Sequence, residues 1–176
     1  MTGQKRLKNI DYMVPAISQH GMVDVPGPVG NYACWYAASA MVLAYRKPLG
    51  GLELNNLRTM ARRVINRGIQ PRDLGLLADE LGLELTPAQH LFPRIIPEEW
   101  HSALSTLGPL MVVIHRHMVV VRGLRYRDDE WEIVYNDPFT GATMSKPTWR
   151  FNSEVDWNMP MLYLRSAHRP PLLATR

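Results

Sequence analysis

ACWYAASAMVLAYR, residues Ala33 to Arg46, is the stretch whose character decides the fold. It contains no Pro and no Gly, and its only charge is the terminal Arg46. Small and apolar side chains recur on every side of the run rather than along one stripe, which predicts a helix buried over most of its surface. Asn31 stands where an N-cap would, and Lys47-Pro48 followed by Gly50-Gly51 ends the segment. Cys34, the one cysteine of the chain, falls in the first turn. There the unpaired backbone amides and the positive end of the helix dipole favour the thiolate, which is the reactive form, and offer an amide to a developing oxyanion. The competing reading is a small buried apolar residue, because free cysteine is among the most buried side chains.

Working outward, residues 1–24 read as an extended arm that leads into the Pro/Gly-rich VPGPVG. Downstream, Leu54, Leu57, Ala61, Val64 and Ile65 fall at helical spacing before Gly68. Pro71 opens a second helical segment that closes at Gly82, and Pro97 opens a third that closes at Gly108, with Glu98 and Glu99 in its first turn. After Gly108 the vocabulary changes to β-branched runs, PLMVVIH and MVVVRG, and then to the alternating WEIVYN. Trp149 to Asn152 and Met161 to Arg165 are expected to complete an antiparallel sheet, and residues 166–176 to form a loose tail. Helices first and a sheet second is the α+β class.

At 176 residues and 46% hydrophobic, the chain has the size and apolar content of one packed domain, residues 1–176, rather than a disordered segment. No apolar run approaches the roughly 20 residues of a membrane-spanning helix. The opening MTGQKRLKNIDYMVPAIS lacks the long apolar stretch of a signal peptide. The expectation is therefore a cytoplasmic protein or one exported by a specialised secretion system, with excision from a larger polypeptide left open. A net charge of +4 permits an acidic partner. However, Arg58, Arg62, Arg63 and Arg67 read as a solvated helix face, and no helix-turn-helix or zinc-finger pattern points to nucleic acid. His20, His90, His101 and His168 lack metal-ligand spacing, so no metal is expected.

Two further positions could join Cys34 in chemistry. His117 opens an apolar strand, where an imidazole is held rigidly enough to serve as a general base. His115 lies two residues earlier, on the same face of an extended chain, and is the rival base. Asp137 ends a strand in YNDPFTG, where it could accept the Nδ1 proton of His117, although Asp before Pro is also ordinary turn chemistry. Asn136 could fill the same role as a neutral group. Trp35 reads as a core residue beside the site, with shielding of the His–Asp bond as the alternative.

The order of these residues carries a resemblance. NYACWYAASAMV resembles the nucleophile helix of papain-like cysteine proteases, GPLMVVI followed by HMVVVRG is similar to their Gly-Pro and His strands, and YNDPFTG resembles the Asp-Pro-Gly segment of bacterial relatives. The likeness is to the bacterial effector proteases and bacteriocin-leader peptidases, over roughly Val25 to Leu164. It implies a helical half bearing Cys34, an antiparallel half bearing His117 and Asp137, and a cleft between them. It also implies His117 rather than His115 as the base. The family's Gln shortly before the Cys is absent from Pro28, Val29, Gly30 and Asn31, so Asn31 or Gln19 from the arm are the candidates for that oxyanion donor. What the resemblance implies is a cysteine protease acting through a Cys34–His117–Asp137 triad, without a cofactor. Its substrate is expected to be a protein or peptide, its setting that of an exported effector or toxin, and an immunity or inhibitor protein a possible partner. The same triad would serve an amidase, deamidase or transglutaminase, and a catalytically inactive binding module is the third reading.

Overall fold

The computed structural model describes residues 7–21, 32–46 and 69–165. Asn31, the helical segment expected over 54–68 with its arginines, and the tail 166–176 lie outside the described residues. The long apolar run forms α1 (Cys34–Arg46), in which every residue from Trp35 to Leu43 is buried. The first helical carbonyl is that of Ala33, which accepts the Ala37 amide at 3.0 Å. Later helices follow their punctuation. A 3-10 turn at Pro71–Asp73 leads into α2 (Leu74–Leu81), stopped by Gly82 in the left-handed conformation at φ 65°. A short α3 (Ala88–Leu91) precedes α4 (Pro97–Leu107). Glu99 in the first turn of α4 accepts the Ile95 amide at 2.7 Å and the Arg94 guanidinium at 3.1 Å, so its role is structural.

The described strands are β1 (Ile10–Asp11), β2 (Leu83–Pro87), β3 (Leu110–Ile114), β4 (His117–Arg127), β5 (Glu130–Asp137), β6 (Ala142–Pro147) and β7 (Pro160–Leu164). They form one antiparallel sheet in the order β2-β7-β3-β4-β5-β6, with β1 pairing with β4 beyond the end of β3. Every residue of β3 and the run from Met118 to Leu124 of β4 are buried, as expected of central strands covered on both faces. One cover is α1, which packs on β4, β3 and β7. The arm residues 10 and 11 enter the sheet at a bulge in β4 between Val121 and Gly123. Gly123 is required there, because a Cβ would collide with the Ile10 carbonyl oxygen.

Two expectations are corrected. The His115-Arg116 pair is the hairpin turn between β3 and β4, with φ of 45° and 64°, so His115 does not share a strand face with His117. Positive φ at both central residues is the geometry that matches strand twist, and it pairs Ile114 directly with His117. The segment 149–152 is not a strand but lies within a helix, α5 (Thr148–Glu154). The aromatic spacing Trp149-x-Phe151 mimics strand alternation. In the helix, however, Thr148 and Phe151 are one turn apart and face inward, with Phe151 edge-on to Trp100 and tilted on Tyr135, while Trp149 faces water.

This placement separates two residues that a strand would put on one face. Phe151→Ala, at 0% exposure, is expected to lose about 3–5 kcal/mol in urea unfolding. Trp149→Ala, at 69% exposure, is expected to stay within about 0.5 kcal/mol of wild type. Similar losses at both positions would contradict the helix.

Candidate active site

Three element ends meet in the structure. Cys34 is the first residue of α1, His117 the first of β4 and Asp137 the last of β5. Because β4 and β5 are antiparallel neighbours with Val120 opposite Asn136, the start of one lies beside the end of the other. His117 Nε2 and Asp137 Oδ1 are 2.6 Å apart, a charge-assisted distance. The sequence reading expected Nδ1 at this carboxylate. The contact instead uses Nε2, which leaves Nδ1 as the ring nitrogen available to Cys34, whose interaction with the imidazole raises the His117 pKa.

The electrostatics follow from this geometry. Burial of His117 disfavours its charged form and pushes its pKa down, but hydrogen bonds to Cys34 and Asp137, and the charges on both, outweigh burial and hold it above its ordinary value. Asp137 is fixed by its own turn as well, since the same Oδ1 accepts the Phe139 amide at 2.8 Å and the main-chain carbonyl accepts the Gly141 amide at 2.8 Å. Cys34 is half-buried rather than sealed in the core. It opens onto a cleft of about 540 Å³ walled by Trp35, Val113, Met118 and Met159, with Arg116 and Asp156 also on its lining.

The other candidates divide. Asn136 does not orient the base, since it is fully buried and its side chain bonds Val14 and Thr143, on the opposite face from its neighbour Asp137. Trp35 is buried at 3% exposure and edge-on to Tyr36, at 5.8 Å between ring centroids, which fits the packing role. Asn31 lies outside the described residues. Gln19 does fold in from the arm. It is 4% exposed, its one-turn 3-10 helix packs on α1, and its backbone N–H donates to the Pro138 carbonyl at 2.8 Å, beside Asp137. Among the described residues, no group of His, Cys, Asp and Glu is arranged to hold a metal ion. Nor is any helix among them long and apolar enough to cross a membrane.

A family model described as papain-like cysteine protease AvrRpt2 matches residues 19–156 of the chain. The chain belongs to that family. The match begins at Gln19 and includes Cys34, His117 and Asp137, so all four fall within the papain-like cysteine protease segment. The fold of UfSP from C. elegans is also similar. That crystal structure superposes with a TM-score of 0.55 at 16% identity, over 93% of this chain but only 35% of that one. This likeness is one of fold. No curated protein sequence matches. The papain-like architecture expected from the sequence is thus the observed one, with a helical layer bearing Cys34 against an antiparallel sheet bearing His117 and Asp137.

Sequence reasoning missed the contribution of the arm to this protease. Asp11 and Val14 reach Arg122 and Asn136 across more than 100 residues, and no local pattern signals such pairs.

The raised His117 pKa gives a signed pH dependence. A histidine whose folded pKa lies above its unfolded value contributes stability fully below the unfolded value of about 6.5 and loses it as pH rises through the folded value. In urea titrations from about pH 5 to about pH 9, the stability advantage of wild type over Asp137→Ala should be largest at the acid end and shrink toward the alkaline end. A difference that grows with pH would contradict the assignment.

Proposed function

We propose that this protease hydrolyses peptide bonds through a thioester acyl-enzyme, with Cys34 as nucleophile, His117 as base and acid, and Asp137 as the group that orients the imidazole. The observation that carries the reading is the 2.6 Å contact of His117 Nε2 with Asp137, on an imidazole whose pKa Cys34 and Asp137 together raise. In this mechanism the Cys34 thiol gives its proton to Nδ1 of His117, the sulfur attacks the scissile carbonyl carbon and the carbonyl electrons move to oxygen. Backbone amides at the start of α1 and the side-chain amide of Gln19 donate to that oxyanion. The carbon–nitrogen bond then breaks, and the leaving amine takes the proton held at Nδ1 of His117. In the second half, Nδ1 accepts a proton from water as the hydroxide attacks the thioester, which returns the thiol and releases the acid. Throughout, Asp137 keeps Nε2 protonated and the ring fixed. No step calls for a cofactor.

The setting we propose is that of an exported effector or toxin that cleaves a protein in another cell, made in the cytoplasm and leaving by a specialised route. This reading is supported by the resemblance of the Cys34 helix and the Asp137 turn to the bacterial effector proteases. An inhibitor or immunity protein for the producing cell fits the same setting.

The test compares variants on labelled casein and, separately, on purified peptidoglycan. Wild type should cleave casein. Cys34→Ala and His117→Ala should each lose about 10³-fold or more, and Gln19→Ala about 10²–10³-fold. His115→Ala should change little. Products from peptidoglycan alone would make the protein an amidase on the same scaffold, and equal losses at His115 and His117 would overturn the choice of base.

A further inference from the structure

Asn136 and the arm remain unexplained by the triad. The residue immediately before Asp137 is fully buried, and its Nδ2 donates to the Val14 carbonyl at 2.9 Å while Thr143 Oγ1 donates to its Oδ1 at 2.8 Å. The Val14 carbonyl also accepts Arg122 Nη1 at 3.4 Å, and Arg122 Nε donates to Asp11 Oδ1 at 2.9 Å. Beyond Asp137 the arm touches the chain again. Gln19 bonds Pro138, His20 lies edge-on to Phe139 with centroids 5.1 Å apart, and a Cβ on Gly141 would stand 2.9 Å from Ser18 Cβ. One segment therefore grips the residue before the carboxylate, the residue after it and the far end of its turn.

We propose that residues 11–20 form a strap, seated on Asn136 and latched through Asp11 to Arg122, that sets the position of the Asp137 carboxylate, which makes Asn136 a positioning residue for the imidazole. The proposal deepens the triad reading and rests on it. The bonds that hold Asp137 locally come from its own turn, through the Phe139 and Gly141 amides, so the position of its carboxylate follows that of the turn and strand end which the strap grips. A displacement of about 1 Å in such a group is enough to cost roughly 10²-fold in rate. The strap also carries Gln19, so the same seat sets the side-chain oxyanion donor against α1.

The experiment follows alkylation of Cys34, the chain's one thiol, by iodoacetate from about pH 5 to about pH 10. This anionic reagent is drawn by the imidazolium, so the alkaline limb of the rate profile reports loss of the His117 proton. The groups whose charge acts on that ring are Cys34 from α1 and Asp137 from β5. His20 of the arm lies against Phe139 rather than among those groups, and His20→Gln serves as the control. Freeing Asp137 removes a cause that raises the His117 pKa, so the limb must move toward acid. Asn136→Ala should shift it in this way and slow neutral alkylation by about 10²-fold, and Asp11→Asn, at a half-exposed latch, by about tenfold. Melting curves identify any variant that fails to fold. Should Asn136→Ala unfold, Asp11→Asn decides alone. A bell-shaped wild-type profile that both folded variants reproduce would overturn the strap. A wild type that reacts no faster than free cysteine and has no alkaline limb would overturn the triad reading, and the strap with it.

Discussion

The contact between His117 and Asp137, at 2.6 Å, is the constraint around which the rest of the molecule is arranged. It fixes which imidazole nitrogen is left to face the sulfur, and it requires the first residue of one strand to meet the last residue of the next. Antiparallel pairing of β4 with β5 supplies that meeting, and the two-residue turn at His115-Arg116 determines where β4 begins. A shift of one residue in that register would turn His117 to the opposite face of the sheet and break the contact.

The second requirement is a sulfur brought to the same end of the sheet. A helix with apolar side chains all round can lie only where every side is covered, and α1 finds that cover on the central strands β3, β4 and β7. Its burial holds the helix rigidly while its first residue stays at the cleft. The site thus sits where a deeply packed helix and a deeply packed strand both begin. In both, the first residue stands at the candidate site and the rest serves stability. Burial alone would push the imidazole toward its neutral form, and it is the interactions with Cys34 and Asp137 that reverse this.

Much of this was legible in the sequence, for reasons that can be stated. Cys34 could be placed because a run without Pro, Gly or internal charge has one plausible conformation and one beginning. β-branched runs and an Asp-Pro turn mark strand ends and so point to Asp137 and to the His115–His117 stretch, but patterning leaves His115 as a rival, and only the family resemblance favours His117. The choice of ring nitrogen was not legible, because it depends on the approach angle of β5, which no residue pattern encodes. The α5 helix was misread because two aromatic residues spaced by two, Trp149 and Phe151, imitate one face of a strand in the sequence, whereas the helix buries Phe151 and leaves Trp149 in water. Asn136 looked like an orienter from its place beside Asp137. Yet adjacent strand residues point to opposite faces, and the partner of its amide is Val14, 122 positions away. The grip of the arm on the sheet is built entirely from such distant pairs.

The most direct test of the central claim is a nuclear magnetic resonance titration of the His117 ring nitrogens in wild type, Cys34→Ala and Asp137→Asn. The account predicts a wild-type pKa above the usual value of about 6.5 for histidine, falling in each variant, with the Nε2 proton lost from its hydrogen bond only when Asp137 is changed. A His117 that titrates identically in all three proteins would show an imidazole coupled to neither group, and would contradict the account.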